Sequence, residues 1–453
     1  MSKENEISDE SQTLTTEDST LQPPTNFRSY LFFLTGQMIS IFGSSVVMFV
    51  IIWHLTDMVG ENNTILSLAF FLGLLPMVIL SPIAGVIADK YNKKAIIIIA
   101  DSAQALITLV IILLFYLSEV KVWHILALNT LRSVCQAFHE PVAFSLIPQM
   151  VPKDKLSRIN GITFFFISII RIIGPLIGAW LMIYIFTEHI LWLDIITFGV
   201  ALFTILQIKI PKLEKRKSID SAHYLSENEE ANTPQAESSF FSQLKEGFRA
   251  IKEIKGFGGI LILIIFANFI MQPIDVLIPN FIKYEHFGEK QHLGYFMGFL
   301  QLGMLVGGLM ISLKKQWKRI FLIMSIGFYS TGIGMLFLGI IDQGNFVLLY
   351  LVAFFLLLTS PIINALLQTS IQVTVPPEKV GRVISVIVSL ATLATPLGMI
   401  MSGLIADAIG SIRILYIWCG IINILIITFT LYSKKSRIFL KNMQEEQDKI
   451  SKS

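Results

Sequence analysis

Charge is what this chain has least of. Only 15% of its 453 residues are charged, against about 25% in soluble domains. Hydrophobic residues make up 54% of it, and the mean hydropathy is +0.69. A soluble protein of this length could bury a large core, but none needs so many long apolar runs. Cysteine is nearly absent: Cys135 and Cys419 both fall inside apolar runs. They read as small buried hydrophobes, not as a disulfide or a metal site. No Gly-x-x-x-x-Gly-Lys-Ser/Thr loop is present to cradle nucleotide phosphates. His139-Glu140 lacks the second histidine of a zinc-binding His-Glu-x-x-His. No nucleic-acid module is recognisable. The expectation is a non-enzyme without cofactor or metal.

Twelve apolar segments are long enough to cross a bilayer: 30–53, 64–87, 95–117, 122–148, 161–184, 190–208, 258–282, 292–313, 319–341, 346–372, 382–405 and 412–432. Isolated runs of this length in lipid must be helices, because each backbone group has to be satisfied within its own segment. The fold class expected is therefore an all-α polytopic membrane protein. Basic residues of the short loops orient it. Lys90, Lys93, Lys94, Lys153, Lys155, Arg158, Lys314, Lys315, Lys318, Arg319, Lys379 and Arg382 lie on one side; Lys121, Lys283, Lys290 and Arg413 lie on the other. The positive-inside rule then puts both termini in the cytoplasm.

The polar segments divide the chain. Residues 1–29 are acidic, with Glu4, Glu6, Asp9, Glu10, Glu17 and Asp18 against Lys3 and Arg28. They read as a disordered tail, not a signal peptide. Spans at 30–208 and 258–432 form two six-helix halves, joined by a polar linker at 209–257 and followed by a tail at 433–453. Within the linker, Phe240, Leu244, Phe248, Ile251, Ile254 and Phe257 recur at helical spacing among lysines and arginines, which predicts an amphipathic helix at 240–257 on the inner membrane surface. The halves echo each other. Val151-Pro-Lys-Asp-Lys-Leu-Ser-Arg158 matches Val375-Pro-Pro-Glu-Lys-Val-Gly-Arg382, and a Pro/Gly stretch follows each.

Polar residues inside the spans fall on single helical stripes. Gln37, Ser40 and Ser44 share a face of the first span; Asn129, Arg132, Gln136 and Glu140 share one of the fourth. Asn268, Gln272 and Asp275 mark the seventh, and Ser360, Asn364, Gln368 and Gln372 mark the tenth at steps of four. Such groups are costly in lipid and should line a water-filled cavity. Arg132 sits about 15 Å along its helix, near mid-bilayer. A charge at that depth costs at least about 2.5–3.5 kcal/mol unless paired, hydrated or neutralised. Glu140 and Asp275 are accordingly candidate proton carriers, whereas Asp101 and Asp194, near span ends, read as structural.

Gly85-Val-Ile-Ala-Asp89-Lys90-Tyr91-Asn92-Lys93-Lys94 resembles the loop between the second and third helices of the major facilitator superfamily, with its Gly-x-x-x-Asp-x-x-x-basic-basic pattern. Ile173-Gly174-Pro175-Leu-Ile-Gly178 resembles the core of the antiporter motif in the fifth helix, and Arg132 the fourth-helix arginine of proton-coupled drug exporters. Gly36-Gln37, Gly43-Ser-Ser, Ala100-Asp101, Trp123-His124-Ile125, Ala137-Phe138-His139 and Leu193-Asp194-Ile-Ile-Thr197 resemble the macrolide-efflux-like branch of drug/proton antiporters. Glu140 departs from that branch. The resemblance implies twelve helices in two pseudo-repeats and a cavity lined by the first, fourth, seventh and tenth helices. It implies a gate at Gly85, Asp89, Lys93 and Lys94, a proton-coupling role for Arg132, to which the depth of Glu140 and Asp275 adds those two acids, and a hinge at Gly174, Pro175 and Gly178. It also implies a monomeric, proton-coupled exporter of amphiphilic small molecules in the plasma membrane. An importer of another solute, or a sensor that keeps the fold without transport, are the alternatives.

Overall fold

The computed structural model of the chain describes residues 27–208, 257–314, 320–375 and 377–433, with single positions at 249, 251 and 317. The N-terminal tail before residue 27, nearly all of the linker with its expected helix at 240–257, and the tail beyond 433 lie outside the described residues.

Six long helices precede the linker: α1 Phe27–Val59, α2 Asn63–Lys90, α3 Lys93–Tyr116, α4 Val122–Met150, α5 Leu156–Tyr184 and α6 Thr187–Gln207. Six follow: α7 Phe257–Asn280, α8 Lys290–Leu313, α9 Ile320–Ile340, the two-part α10 (Phe346–Leu358 and Ser360–Thr374), α11 Pro377–Ile409 and α12 Ile412–Tyr432. Eleven of the twelve spans are apolar and long enough to cross a membrane by length and composition alone. The exception is α4, which carries Asn129, Arg132, Gln136, His139 and Glu140. Its polarity belongs to the site described below. Large apolar side chains such as Ile99 (68% exposed) and Phe429 (81%) point away from the protein, as a lipid-facing surface requires.

Turns between helices are short and capped. Asn62, Asn92, Asn345 and Ser411 each accept a backbone N–H of the helix that follows, through a side-chain oxygen. The internal repeat seen in sequence is a repeat in conformation. Val151 and Val375 both end their helices in extended backbone, are both buried, and donate to Ile147 and Ile371 respectively. One expectation needs correcting. The tenth span is not a continuous helix: it breaks at Thr359, whose hydroxyl turns to Gly327 O and Ser330, and restarts over Pro361. Proline lacks the N–H that would have bridged the break.

The two ends of the bundle differ. The tail end holds the start of α1 and the end of α12; the hairpin end holds the α1–α2, α7–α8 and α11–α12 turns. At the hairpin end the halves are fastened. Asn280 donates to Asn63 Oδ1 (2.9 Å), Tyr284 to Thr56 O (3.2 Å) and Lys290 to Met182 O (2.8 Å), and Lys283 pairs with Asp57. Asp407 of α11 receives the start of α2. An apolar plug of Phe49, Trp53 and Ala179 against Ile274, Phe281, Leu293 and Phe296 seals the space behind these contacts.

Candidate functional site

A cavity of about 550 Å³ runs from the middle of the bundle to its tail end. Its lining follows α1 from Tyr30 to Met48 and α4 from Asn129 to Ile147. Leu34, Met38, Met77, Phe144 and Phe198 give it an apolar wall. Gln37, Ser40, Ser44, Asn129 and Gln136 all line it, as the stripes on α1 and α4 predict. Among the described residues, Met399 is the one lining residue from the second half.

The polar wall is a connected network drawn from four helices. Arg132 Nη1 lies 2.9 Å from Asp194 Oδ2 and donates to Thr108 Oγ1 at 2.6 Å. Thr108 donates in turn to Asp194 Oδ2 (2.7 Å), and Ser44 donates to Asp194 Oδ1 (2.6 Å). α1, α3, α4 and α6 each contribute one group, so the ion pair is charge-balanced and both Asp194 oxygens accept hydrogen bonds. Those are the conditions under which a buried pair persists. Closer to the tail end, His139 Nε2 lies 3.3 Å from Asp101 Oδ1, too poorly aligned for a hydrogen bond, with buried Gln37 beside it on the same wall. Glu140 is half-buried on this wall and has no ion-pair partner among the described residues.

Two sequence readings are revised here. Asp194, placed by its sequence near a span end, is only 6% exposed and takes the Arg132 guanidinium. Arg132 therefore answers Asp194, not Glu140 or Asp275. Asp101 is likewise buried inside α3, facing His139. The short matches at Ala100-Asp101, Ala137-Phe138-His139 and Leu193-Asp194 held the signal for this network. Their convergence could not be read from chain positions 24 to 150 residues apart.

Asp275 occupies a different place. It is exposed to a smaller cavity of about 230 Å³ between the halves, shared with Arg171 of α5, Gln301 of α8 and Met48 of α1. Arg171 and Asp275 form no ion pair among the described contacts. The remaining second-half candidates do not join the main cavity. Asn268 donates to Ile264 O and Gln272 to Asn268 O, each one turn back along α7 (2.9 Å). Asn364 and Gln368 are exposed on the second segment of α10, outside the lining.

The charged turn between α2 and α3 spans only Tyr91 and Asn92, because Asp89 still belongs to α2. Gly85 does not bring two helices together as its sequence suggests, since a Cβ there would meet nothing within 4 Å. Lys94 Nζ donates to Leu206 O and Ile208 O (2.8 Å each), closing the C-terminal end of α6; orphan carbonyls there favour a cation. Lys93 is half-buried at the start of α3. The fifth-helix glycines do allow close approach: a Cβ on Gly174 would fall 2.2 Å from Ser45 Oγ, and one on Gly178 3.0 Å from Val46 O. With Pro175 between them, they seat α5 directly on α1.

Comparison with known proteins agrees with this geometry. The sequence profile of the Major Facilitator Superfamily matches residues 33–372. Macrolide efflux protein A of Streptococcus pyogenes is 28% identical over 377 residues, 83% of this chain and 88% of the relative. Multidrug efflux pump Tap of Mycolicibacterium fortuitum is 24% identical over 353 residues, 76% of this chain and 81% of that one. Among solved structures, the nucleoside transporter NupG superposes with a TM-score of 0.69 at 13% identity, covering 89% of this chain and 98% of its own. At that identity the likeness is one of fold.

Proposed function

The chain belongs to the major facilitator superfamily, and from that premise we propose that it is a proton-driven exporter of amphiphilic small molecules, working by alternating access in the plasma membrane. Its place as a multi-pass membrane transporter, not an enzyme, comes with the family. The observation that carries the finer reading is the main cavity. It is apolar on most of its wall, polar at one buried network, and bordered by an acid, Glu140, with no cation of its own. An amphiphile fits such a lining better than a polar solute does. Two relatives named for efflux, one of macrolides and one of multiple drugs, support the same class. Loop charge puts the tail end in the cytoplasm. The cavity then opens toward the side from which an exporter loads.

Proton flow is an adequate driver: one charge moving through 100 mV releases about 2.3 kcal/mol, more than a tenfold gradient of cargo requires. Asp194 is committed to Arg132 and Asp101 faces His139, which leaves Glu140 and Asp275 as the cavity acids without an ion-pair partner among the described residues. Glu140 borders the main cavity and Asp275 the gap between halves. Rocking about that gap can expose each to opposite membrane faces in turn.

The test is accumulation of a radiolabelled macrolide in proteoliposomes, with an imposed pH gradient and after its collapse by nigericin. Accumulation that requires the gradient is expected, together with substrate-induced proton movement. The Glu140→Gln, Asp275→Asn double variant should bind the macrolide yet neither concentrate it nor move protons. Full gradient-driven accumulation by that variant would dismiss both acids as carriers. Equal uptake with and without the gradient in the unaltered chain would dismiss proton coupling.

A further inference from the structure

One carboxylate of the second half completes a helix of the first. The four N-terminal N–H groups of an α-helix have no partner within it. In α2, Asn62 Oδ1 takes that of Ile65 (2.9 Å) and Asn62 O that of Leu66 (3.4 Å). The other two go to Asp407 near the end of α11: Asn63 N to Oδ1 at 3.0 Å and Thr64 N to Oδ2 at 2.8 Å. Asn63 Nδ2 (3.0 Å) and Thr64 Oγ1 (2.5 Å) donate to the same two oxygens. Four donors on one carboxylate at a positive helix end is a strong arrangement for an anion. Close packing keeps it in register, because Gly403, one turn before Asp407, lies against α2: a Cβ there would come within 2.4 Å of Asn63 O.

The sequence repeats this device. Gly403-Leu-Ile-Ala-Asp407 ends α11 as Gly85-Val-Ile-Ala-Asp89 ends α2. α2 and α11 run antiparallel, so Asp407 stands at the hairpin end where α2 starts, and Asp89 at the tail end where α11 starts. The loop after α8, Ser312-Leu-Lys-Lys-Gln-Trp-Lys-Arg319, is the counterpart of the charged α2–α3 turn by pseudo-repeat, and it contains no acid. The acid is found instead one helix pair away, on the opposite face of the membrane.

We infer that Asp407 is a positioning residue for transport: a cap supplied across the halves that holds the hairpin end shut, and that must leave the start of α2 before that end can open. The inference rests on the alternating-access reading above. In the opened state the N–H groups of Asn63 and Thr64 turn to water, so the cap biases the equilibrium without locking it.

The experiment measures the two conformations directly, without a substrate. Spin labels are attached at Glu119→Cys and Gln343→Cys, on exposed hairpin-end turns of the first and second halves, in full-length protein with Cys135 and Cys419 replaced by alanine. Electron–electron distance distributions in lipid nanodiscs give the ratio of hairpin-open to hairpin-closed molecules. Asp407→Ala is expected to raise that ratio about fivefold, the size of effect a helix cap exerts. Thr64→Val, which removes one donor from the partner side, should move it the same way by less. An unchanged ratio in both Asp407→Ala and Thr64→Val would overturn the assignment. Macrolide flux by the unaltered chain reports separately on the exporter reading, so failure of one is not failure of the other.

Discussion

Removing the Arg132 guanidinium would leave Asp194 facing only the hydroxyls of Ser44 and Thr108 in a buried site. Breaking a buried pair from one side costs about 3–5 kcal/mol. Arg132→Ala should therefore lower the melting temperature in detergent sharply, and the Arg132→Ala, Asp194→Asn double variant should recover most of the loss. A double variant no more stable than the single one would remove Asp194 as the partner. Another residue makes a pH-dependent contribution. His286, in the connection between α7 and α8, is 1% exposed, packs edge-on against Phe281 at 4.6 Å, and has no hydrogen-bond partner on either ring nitrogen. Burial, and after it the nearby Arg413 guanidinium, pushes its pKa down to about 4 from 6.5. Folded, the ring stays neutral at a pH where the unfolded chain takes up a proton. Stability from this group is therefore complete above about pH 6.5 and falls as pH drops toward 4, by roughly 2–4 kcal/mol in all. His286→Phe should flatten melting temperature against pH across that window. Identical slopes for the two proteins would contradict it.

At the scale of helices, glycine placement decides which pairs can touch. The Gly174 contact with Ser45 has no room for a branched side chain, and overpacking such a site costs about 1–3 kcal/mol. Gly174→Val should lower both thermal stability and transport rate, whereas Gly85→Ala, with open space around it, should leave stability unchanged. Equal losses in the two would show that packing at α5 is not the cause. These two glycines also mark what sequence conveys and what it does not. Hydropathy alone locates the spans to within a few residues, because lipid forces each apolar run to be a helix. The stripes on α1 and α4 are legible for the same reason: Gln37, Ser40, Ser44, Asn129 and Gln136 have nowhere apolar to go. On α7, Asn268 and Gln272 donate one turn back along their own helix, and periodicity does not distinguish that from lining a cavity. Asp194 fails to stand out because its partner comes from another helix, and its depth depends on where α6 sits against α4. Gly85 and Gly403 share a motif, yet only the second is wedged against a neighbour.

For the molecule as a whole, the six-helix halves are unequal. Among the described residues the main cavity is lined by the first half but for Met399, while the second contributes Asp275 to the gap between them and Asp407 to the closure at the hairpin end. Exchanging residues 258–432 for the corresponding half of a relative should leave the range of bound compounds nearly as it was, measured by equilibrium binding, while changing turnover and pH dependence. A hybrid whose binding range followed the donor of its second half would contradict this division. The lopsided cavity also bears on ancestry. On the exporter proposal, most changes in what is carried fall in the front portion of the gene, together with Glu140, while Asp275 and Asp407 lie behind it. A lineage can then shift its cargo through the front portion while the carboxylate that closes the hairpin end is inherited unchanged.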